Sequence, residues 1–586
     1  MAKRKKLSYY GDKIRNGFPK EQPWLQSEKL PEFLRFYVKP ELLTELEGNS
    51  NHLVCGRRGT GKTHLLGAFY EKMTRDSEQN SLCVMLSAAE FSVTPTYALD
   101  ESVEFSRTRY SRAVFREFLS AFVEKFVREV YSFVDRHVRP KMSKREVKQL
   151  LRGVDEKLYT LLEVVESGTP YPLKSTYEVT TSEQDEHERA VEGKVGVEAS
   201  TSGLGLVGGL GWKMSGDHED GEEVLQHEEG LLEVSCRRVR KCLLDVIEYL
   251  GADTLYVLID EWMQLDKTLN LGIQPYFAEL LKRTFFNDKR FSVKIATVWH
   301  RTNLYDRLDL ESSKGLELGE DIVLGVDLDV AFLTHEKEIL EFFKSMLFTR
   351  LSYKITELRD LELNGQVDDR FIIELFENEQ NFRALIAASH GIPRDFWQIF
   401  HKCSMKIKHD FKNCCICREI IGDVAREKYL VEKRKTLEKD SAPQLLWNRI
   451  NEYMNRTSHS FFLVENMEAK NSKALRKLVD EKLCHPIPSA LVPRLVRDKY
   501  KLFQIDYGNC VDSIKYRRRK MDSVLAETVL PVVPTDFEKT YESFRVQVGD
   551  IAEKVILCAW CKRSFSFEEP VFVKHKLCPK CGEPID

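Results

Sequence analysis

Short apolar runs alternate with longer amphipathic patterns through much of the chain. Residues 52–55, 254–259 and 291–300 are short and largely apolar, which predicts buried strands. Residues 63–73 and 276–285 repeat apolar positions at helical spacing, which predicts helices. Strands that alternate with helices in this way are typical of a parallel α/β sheet.

A long insertion separates the first of these helices from the second strand. Nearly two hundred residues lie between Thr63 and Asp260, and two helical patterns occupy residues 113–138 and 143–165. Residues 193–216 include eight glycines among 24 positions, with alternating apolar residues. That alternation favours a flexible β-hairpin, and a disordered surface loop is the alternative.

The first motif with a clear chemistry is Gly-Arg-Arg-Gly-Thr-Gly-Lys-Thr at residues 56–63, a complete G-x-x-x-x-G-K-T. Its glycines let backbone N–H groups surround a β-phosphate at a helix N-terminus, where an anion is stabilised. Lys62 is predicted to reach the β- and γ-phosphate oxygens, and the Thr63 hydroxyl to bind Mg²⁺. The flanking strand and helix disfavour a chance match. The predicted nucleotide-binding residues are Gly56, Arg57, Arg58, Gly59, Thr60, Gly61, Lys62, Thr63 and Asp260.

Two carboxylates, Asp260 and Glu261, directly follow the apolar run at residues 254–259. Ligands bind at the carboxyl end of parallel strands, so Asp260 is predicted to hold Mg²⁺ through water. Glu261 is predicted to polarise the attacking water, which favours hydrolysis over binding alone. The alternative is an ordinary solvated strand end.

Polar residues of possible catalytic importance follow in two later segments, the end of the third predicted strand and the start of a later helix. Those at or just past the end of the strand at 291–300 are Thr297, His300, Arg301 and Asn303. One of them is expected to contact the γ-phosphate or the lytic water, although ordinary strand-end polarity explains them equally well. Arg394 follows Gly391 and Pro393 at a predicted helix start, from which a guanidinium can reach a phosphate. An exposed surface arginine is the alternative there.

Cysteines cluster at the end of the chain. Four of the 14 form two C-x-x-C pairs with 16 residues between them: Cys558, Cys561, Cys578 and Cys581. This spacing matches a four-thiolate zinc site, and a module of that size needs the metal to fold; a redox dithiol pair is the alternative. Cys414, Cys415 and Cys417 continue a helical pattern over residues 400–430, on which three sulfurs do not converge. Buried core cysteines are the expected outcome there.

Composition and charge limit the function classes. The 586 residues are 42% hydrophobic, which predicts several globular domains. A total of 89 Lys and Arg against 92 Asp and Glu excludes a uniformly basic coat for nucleic acid. Residues 441–520 nevertheless carry 16 Lys and Arg against 8 Asp and Glu. No apolar stretch approaches the ~20 residues of a membrane span and no secretory signal is visible, so we expect a cytoplasmic protein without membrane contact.

The motifs GRRGTGKT, LYVLIDEW, SVKIATVWH and GIPRDF together resemble those of AAA+ ATPases. The nearest resemblance is to the origin-recognition and initiator branch in its bacterial form, with a lead-in at residues 33–46. It covers roughly residues 30–430 and implies ATP and Mg²⁺ as ligands, with ATP-dependent homo-oligomers. Arg394 then corresponds to the family's second sensor. Arg283, Arg301 or Arg307 would be the finger that reaches a neighbouring subunit, and the long insertion is a departure from the family.

In that family a winged helix follows the lid, and residues 442–516 resemble one. The predicted elements are helices at 442–456 and 472–483, a strand at 460–464, a turn at 485–489, and wing strands at 500–506 and 511–516 around a turn at 507–509. The basic excess, including residues 515–520, predicts contact with DNA phosphates. A winged helix that binds protein, with a solvated basic tail, is the alternative.

These inferences combine into one expected architecture. The predicted parts are an N-terminal tail (1–30), an α/β AAA+ core (31–335) with an insertion at about 105–235, a helical lid (336–435), a winged helix (440–520), a linker (521–550) and a zinc ribbon (551–586). We expect an ATP-hydrolysing switch or loader that binds DNA, with Glu261, Lys62 and Arg394 as catalytic residues. The resemblance allows a role in anti-phage defence or mobile-element biology. The alternatives are a signalling ATPase that binds a protein and a nucleotide-binding scaffold without turnover.

Overall fold

A computed structural model describes most of the chain. The described residues are 40–75, 79–91, 103–166, 169–171, 231–266, 272–286, 288–307, 313–333, 336–363, 366–376, 378–407, 415–439, 441–457, 459–487, 492, 494–512, 545–548, 555–557, 564–566, 577–578, 581 and 583–584. The predicted tail at 1–30, the glycine-rich hairpin at 193–216 and most of the linker at 521–550 lie outside them.

The core is built on one parallel sheet. The strands of residues 40–333 are β1 (His52–Cys55), β2 (Ser81–Ser87), β3 (Thr169–Tyr171), β4 (Leu231–Glu233), β5 (Thr254–Asp260), β6 (Phe291–Ala296), β7 (Tyr305–Arg307), β8 (Ser313–Gly315) and β9 (Val323–Asp327). The helices are α1 (Pro40–Glu45), α2 (Lys62–Arg75), α3 (Val103–Phe133), α4 (Lys144–Glu166), α5 (Cys236–Leu250), α6 (Gln274–Phe285) and α7 (Leu328–Leu333). The sheet has the order β2-β5-β6-β1-β9, and its neighbouring strands are all parallel. The predicted α/β core is confirmed.

The central strands are buried along their whole length because helices cover both faces of the sheet. Alternate residues of β5 show the two sides. Leu258 packs in the cluster that contains α2 and the helices that follow the core. Val257 and Ile259 pack in the cluster formed with α3, α4, α5 and α6. The apolar runs therefore lack polar alternation because neither side of the strand meets water.

The two long helices of the insertion are confirmed. The helix α3 continues through a π turn at Val134–Val138, and α4 ends one residue beyond the predicted boundary at 165. Phe118, Phe122 and Phe126 line the buried face of α3, so the insertion forms a layer on the sheet. Its two ends meet in the short antiparallel pair β3–β4, from which the chain leaves the described part and returns.

A group of helices follows the core and is here called the lid, after the predicted domain. Its elements are α8 (Glu336–Lys354), the pair β10 (Glu362–Leu363) and β11 (Gln366–Val367), α9 (Arg370–Phe376), α10 (Glu379–Ala388), α11 (Pro393–Ile407) and α12 (Arg418–Lys428). The single helical pattern predicted over residues 400–430 is wrong, because α11 ends at Ile407 and α12 starts again after Cys417, its N-cap. Cys403 is buried as expected, whereas Cys415 and Cys417 are half-buried; Cys414 lies outside the described residues.

A third unit, here called the C-terminal unit, spans residues 441–512. It comprises α13 (Ser441–Thr457), β12 (Phe461–Glu465), α14 (Asn466–Asn471), α15 (Lys473–Asp480), β13 (Cys484–Pro486), α16 (Arg494–Arg497), β14 (Tyr500–Ile505) and α17 (Tyr507–Asp512). Its antiparallel sheet has the order β12-β14-β13. The helix–strand–helix part of the prediction agrees with the described elements.

The prediction names the wrong pair of strands for the wing. The first wing strand is β14, but it pairs with β13, so the hairpin loop runs over residues 487–499. Pro486 suggested a turn, yet it lies on an edge strand, where a missing N–H is tolerated. Residues 507–509 are not a turn but the start of α17, and Asp506 caps it by accepting the N–H of Gly508 at 3.0 Å. Gly508 is needed because a Cβ there would lie 2.4 Å from the carbonyl oxygen of Ala425.

The last described residues belong to the cysteine-rich end of the chain. The strands β15 (Val555–Leu557) and β16 (Ser564–Ser566) form an antiparallel pair. The predicted zinc ribbon stays a prediction, because most of it lies outside the described residues. Among the described helices, none combines the length and apolar character that a bilayer crossing requires.

Candidate nucleotide site

The phosphate loop, residues 56–63, connects β1 to α2 at the carboxyl edge of the sheet. Gly59 has a φ of +97°, a conformation that strains any residue with a Cβ. Space is short as well, because a Cβ there would lie 3.0 Å from Ile392 and 3.1 Å from Arg394. Only glycine therefore lets the loop pack this closely against the start of α11.

Lys62 is buried at the first position of α2, and its ammonium faces the loop's own backbone. Its Nζ donates to the carbonyl oxygens of Gly56 at 2.7 Å and Arg57 at 2.9 Å. Burial lowers the pKa of Lys62 to about 8, although Asp260 acts in the opposite direction. A phosphate at the loop would supply the negative charge that this lysine lacks.

Asp260 and Thr63 meet as the motif predicts. The Thr63 side chain hydrogen-bonds to the carboxylate of Asp260, at the last position of β5. Burial raises the pKa of Asp260, and the bonds from Thr63 and the Glu261 N–H only partly compensate. A carboxylate and a hydroxyl side by side are hard oxygen donors of the kind Mg²⁺ takes next to a nucleotide. The pair therefore fits the predicted Mg²⁺ site.

Glu261 has a strained backbone, with a φ of +54°. The conformation turns its side chain back across the strand ends, where the Ser87 hydroxyl donates to Oε2 at 3.2 Å. Ser87 is the last residue of β2 and lies opposite Asp260 in the sheet. Sequence reasoning missed Ser87; the signal was a polar residue closing a second apolar run, at residues 81–87.

Arg394 lies on the lid side of the phosphate loop. Its backbone N–H donates to the Gly59 carbonyl at 3.2 Å. Among the described residues, its buried Nε has no hydrogen-bond partner. Burial lowers the pKa of Arg394, and the carboxylates of Asp395, Glu261 and Asp260 lie close enough to oppose that shift. A buried guanidinium nitrogen without a partner beside a phosphate loop fits an anionic ligand.

The two arginines inside the loop differ in exposure and in the direction of their side chains. Arg58 is exposed, whereas the Arg57 side chain turns away from the loop. The Arg57 Nε and backbone N–H donate to the two carboxylate oxygens of Asp329, both at 2.7 Å, and its Nη2 donates to the His390 carbonyl at 2.9 Å. The donors of Arg57 that face Asp329 and His390, its backbone N–H included, are thus already engaged in this structure. Sequence reasoning missed Asp329, since only folding brings α7 beside the loop.

The polar residues at and after the end of β6 make hydrogen bonds to different partners. The Thr297 hydroxyl is buried against Thr302 at 2.7 Å. His300 and Arg301 both bind Asp480 of α15. Asn303 is exposed, and its backbone N–H donates to a side chain of α6. The identity of the residue that contacts the γ-phosphate stays a prediction.

The three candidate arginine fingers lie in different surroundings. Arg283 is largely exposed on α6, where its Nε donates to Glu279 at 2.9 Å. Arg301 is held by the C-terminal unit. The side chain of Arg307 lies outside the described residues.

Two groups of residues carry donor atoms of the kinds that bind metals. Of the predicted zinc ligands, Cys578 is buried and Cys581 exposed in a turn closed by pairing between Leu577 and Pro584. Cys558 and Cys561 lie outside the described residues, between β15 and β16. The four-thiolate site therefore stays a prediction.

His390, His485 and Asp506 form a buried group whose donor atoms all lie within 4.8 Å of one another, a spacing that a metal requires. Those atoms already have partners, since the Tyr507 N–H donates to His390 Nε2 at 2.9 Å. The Lys433 ammonium binds Asp506, and the two imidazole rings stack 3.8 Å apart. Because a lysine cation already neutralises the carboxylate, the group joins the lid to the C-terminal unit and does not need an ion.

Comparison with known proteins places few constraints on this chain. No protein-family model matches the sequence, and no curated protein matches it. One similar solved structure is Drosophila ORC bound to DNA, at 11% identity and a TM-score of 0.27, covering 88% of this chain and 93% of that chain. Another is Cdc6p from Pyrobaculum aerophilum, at 8% identity and a TM-score of 0.24, covering 88% and 97%. Neither TM-score is high enough to support a shared function.

Proposed function

We propose that the protein is an AAA+-type ATPase of the initiator branch, which hydrolyses ATP and transmits the nucleotide state to its C-terminal unit. One observation carries this proposal: Lys62, the Thr63–Asp260 pair, Glu261 and Arg394 converge at one edge of a parallel sheet. A binding-only scaffold has no need of a carboxylate held by a strained backbone next to the phosphate loop.

The residues divide the chemistry of phosphoryl transfer to water among them. Mg²⁺, held by Thr63 and Asp260, would neutralise charge on the β- and γ-phosphates. Lys62 exchanges its bonds to the loop carbonyls for phosphate oxygens. Glu261, oriented by Ser87, accepts the proton of the attacking water. Arg394 stabilises the charge that develops on the γ-phosphate and thereby ties the lid to the bound nucleotide.

The C-terminal unit is proposed to bind DNA as a winged helix. Lys473 and Arg476 are exposed on α15, and Lys470 of α14 lies near Lys501 of β14. The pKa of Lys501 is lowered, mainly by partial burial and further by the like charge of Lys470. A DNA backbone would supply phosphates to such a surface. A protein partner for this unit, as in a signalling ATPase, is the competing function.

Two experiments test these proposals separately. ATP turnover should fall by at least about a hundredfold in Glu261→Gln with nucleotide binding retained, whereas Lys62→Ala should lose binding itself. Equal turnover in wild type and Glu261→Gln would refute hydrolysis by this site. For DNA, the slope of log K against log salt should become shallower by about 2 in Lys473→Gln/Arg476→Gln, since each lysine or arginine releases about one counterion. Absence of DNA binding at low salt would favour the protein partner.

Three parts of the proposal rest on sequence patterns and on the family resemblance alone. These are the assembly of ATP-bound homo-oligomers, the zinc ribbon as a second DNA contact, and a setting in anti-phage defence or mobile-element biology. Cytoplasmic location likewise stays a prediction.

A further inference from the structure

The C-terminal unit is attached to the ATPase at two places of different character. One attachment joins the lid, where Lys482 Nζ lies 2.7 Å from Asp395, the residue after Arg394. Lys428 binds the other oxygen of the same carboxylate at 2.8 Å. Asp506 and His390 continue this joint in the interior. The carboxylates of Asp395 and Asp506 are 8% and 3% exposed, so this attachment is largely shielded from water, although the Lys482 side chain is 21% exposed.

The other attachment joins the core and is more open. The Arg301 Nε donates to Asp480 Oδ1 at 2.7 Å, and its Nη2 lies 2.5 Å from Oδ2. His300 Nε2 lies 3.0 Å from the same Oδ1. The side chains of Asp480 and Arg301 are 22% and 36% exposed, so water reaches this ion pair. If the C-terminal unit moves, this attachment is therefore the one that breaks first.

The position of the second attachment links it to the nucleotide. His300 and Arg301 follow β6, which lies beside the strand of the phosphate loop. A cleft at this point is lined by Arg57 and Arg58 of the loop together with Arg301 and Asp480. The Asp480 carboxylate thus occupies the place on Arg301 that a phosphate oxygen would take, since a guanidinium binds either anion through two parallel hydrogen bonds.

The charge state of Asp480 supports a stable ion pair. Partial burial acts to raise its pKa, but the hydrogen bonds from His300 and Arg301 outweigh burial and hold the pKa of Asp480 below its usual range. The carboxylate is therefore ionised near neutral pH and neutralises the guanidinium. An arginine whose charge is already paired stabilises a developing phosphate charge poorly.

We propose that Asp480 is an internal anion that holds Arg301 in the docked state, so that the C-terminal unit restrains ATP turnover. Release of α15 frees Arg301 for the γ-phosphate of ATP, while Lys482, His485 and Asp506 keep the unit attached to the lid. This inference rests on the proposed ATPase function and adds its regulation. The phosphate reached by Arg301 belongs to the same chain or to a neighbouring copy, and the dependence of turnover on protein concentration separates the two.

The test uses the full chain and the isosteric variant Asp480→Asn. Asp498→Asn is the matched control, because Asp498 is in the same unit, is largely exposed and pairs with Arg494 at 3.9 Å. Turnover at saturating ATP should rise about tenfold in Asp480→Asn, the shift expected when one hydrogen-bonded charge pair is lost. The control should match wild type. Turnover in Asp480→Asn at or below the wild-type rate would overturn the proposal.

A double variant assigns the effect to the arginine. Asp480→Asn/Arg301→Gln should return to the wild-type rate, and a rate that stays raised would show that Arg301 is not the restrained group. Turnover per chain that increases with protein concentration identifies a neighbour's phosphate, and concentration independence identifies the chain's own. Amide hydrogen exchange gives a readout besides activity: it should increase in α15 and residues 299–302 of Asp480→Asn. Unchanged exchange would overturn the release step.

Failure of the proposed function has a different signature. If no protein in the series hydrolyses ATP although nucleotide binds, the hydrolysis assignment falls, and this regulation falls with it. If wild type hydrolyses ATP but Asp480→Asn is no faster, only the restraint is refuted.

Discussion

The backbone N–H of Arg394 donates to the carbonyl of Gly59 at 3.2 Å and thereby joins the first turn of α11 to the phosphate loop. A second hydrogen bond, from Arg57 to the His390 carbonyl at 2.9 Å, holds the same junction from the other side. The loop that would hold the phosphates and the lid residue that would contact the γ-phosphate thus share a backbone contact. A change in either is expected to alter the other.

Gly59→Ala should weaken nucleotide binding by about tenfold, because the added Cβ combines a strained φ with contacts near 3.0 Å to the lid. Gly48→Ala is the control, since Gly48 has a φ of +91° but open space around the added atom. That control should lose thermal stability without losing affinity. The measurement is ATP affinity by calorimetry, and equal affinity in both variants would contradict the packing argument.

Ser87→Ala should lower ATP turnover by about tenfold with little change in KM, because the Glu261 carboxylate loses the hydrogen bond that orients it. Ser81→Ala, at the other end of the same strand, should turn over ATP like wild type. The effect should also disappear in a Glu261→Gln background. A tenfold loss that persists there would show that Ser87 acts by another route.

Arg394→Gln should weaken ATP binding by at least about tenfold more than ADP binding, because the guanidinium would contact the γ-phosphate that ADP lacks. Arg383→Gln is a matched control in the lid, where Arg383 pairs with Glu379 on α10. Its affinities for both nucleotides should be unchanged. Equal losses for ATP and ADP in Arg394→Gln would remove the residue from its proposed role.

The buried Lys294 should make the free energy of unfolding depend on pH, whatever the function of the protein. Its buried Nζ donates to the Ser50 carbonyl at 2.7 Å and lies 3.1 Å from His52 Nδ1. Burial lowers the pKa of Lys294 to about 7, so between about pH 7 and 10 the unfolded chain binds more protons than the folded one. Stability contributed by this group therefore rises with pH across that window.

The free energy of unfolding of wild type relative to Lys294→Met should increase by about 2–4 kcal/mol from pH 7 to pH 10. Chemical denaturation at several pH values measures the slope, which does not depend on packing differences between the two side chains. Burial and Lys294 together lower the pKa of His52 to about 4, so in wild type a separate loss of stability is expected as pH falls from about 6.5 to 4. A flat difference above pH 7 would contradict the assignment for Lys294.

The chain end should bind one zinc ion per chain if its four cysteines form a thiolate site. Cys578→Ser should abolish that stoichiometry by elemental analysis, and a chelator should lower the melting temperature of wild type more than that of the variant. Cys236→Ser, on α5, is the control and should keep the metal. Zinc retained in Cys578→Ser would contradict the four-thiolate prediction.

The parts of the site that were predictable from sequence are those encoded locally. The loop at residues 56–63 and the pair Asp260–Glu261 are contiguous motifs, each next to an apolar run that becomes a wholly buried strand. The long helices of the insertion were predictable for the same reason, because a repeated apolar face over twenty or more residues leaves little ambiguity.

Errors arose where local signals have two structural explanations. The turn residues at 485–489 and 507–509 predict loops, yet Pro486 lies on an edge strand and Gly508 lies against the backbone of α12. A proline or glycine marks a backbone requirement, but the neighbouring elements decide which requirement it meets. As a result, the predicted wing starts at β14, whereas the observed hairpin is formed by β13 and β14.

The pairings between distant parts of the chain depend on the tertiary fold. Ser87 and Glu261 are 174 positions apart, Arg57 and Asp329 are 272 apart, and Arg301 and Asp480 are 179 apart. By itself the sequence determined which residue types stand at the strand ends and the order of the elements. Which side chains meet, and therefore which arginine faces a phosphate and which is held by a carboxylate, follows from the packing of the lid and the C-terminal unit on the sheet, since no local pattern records that packing.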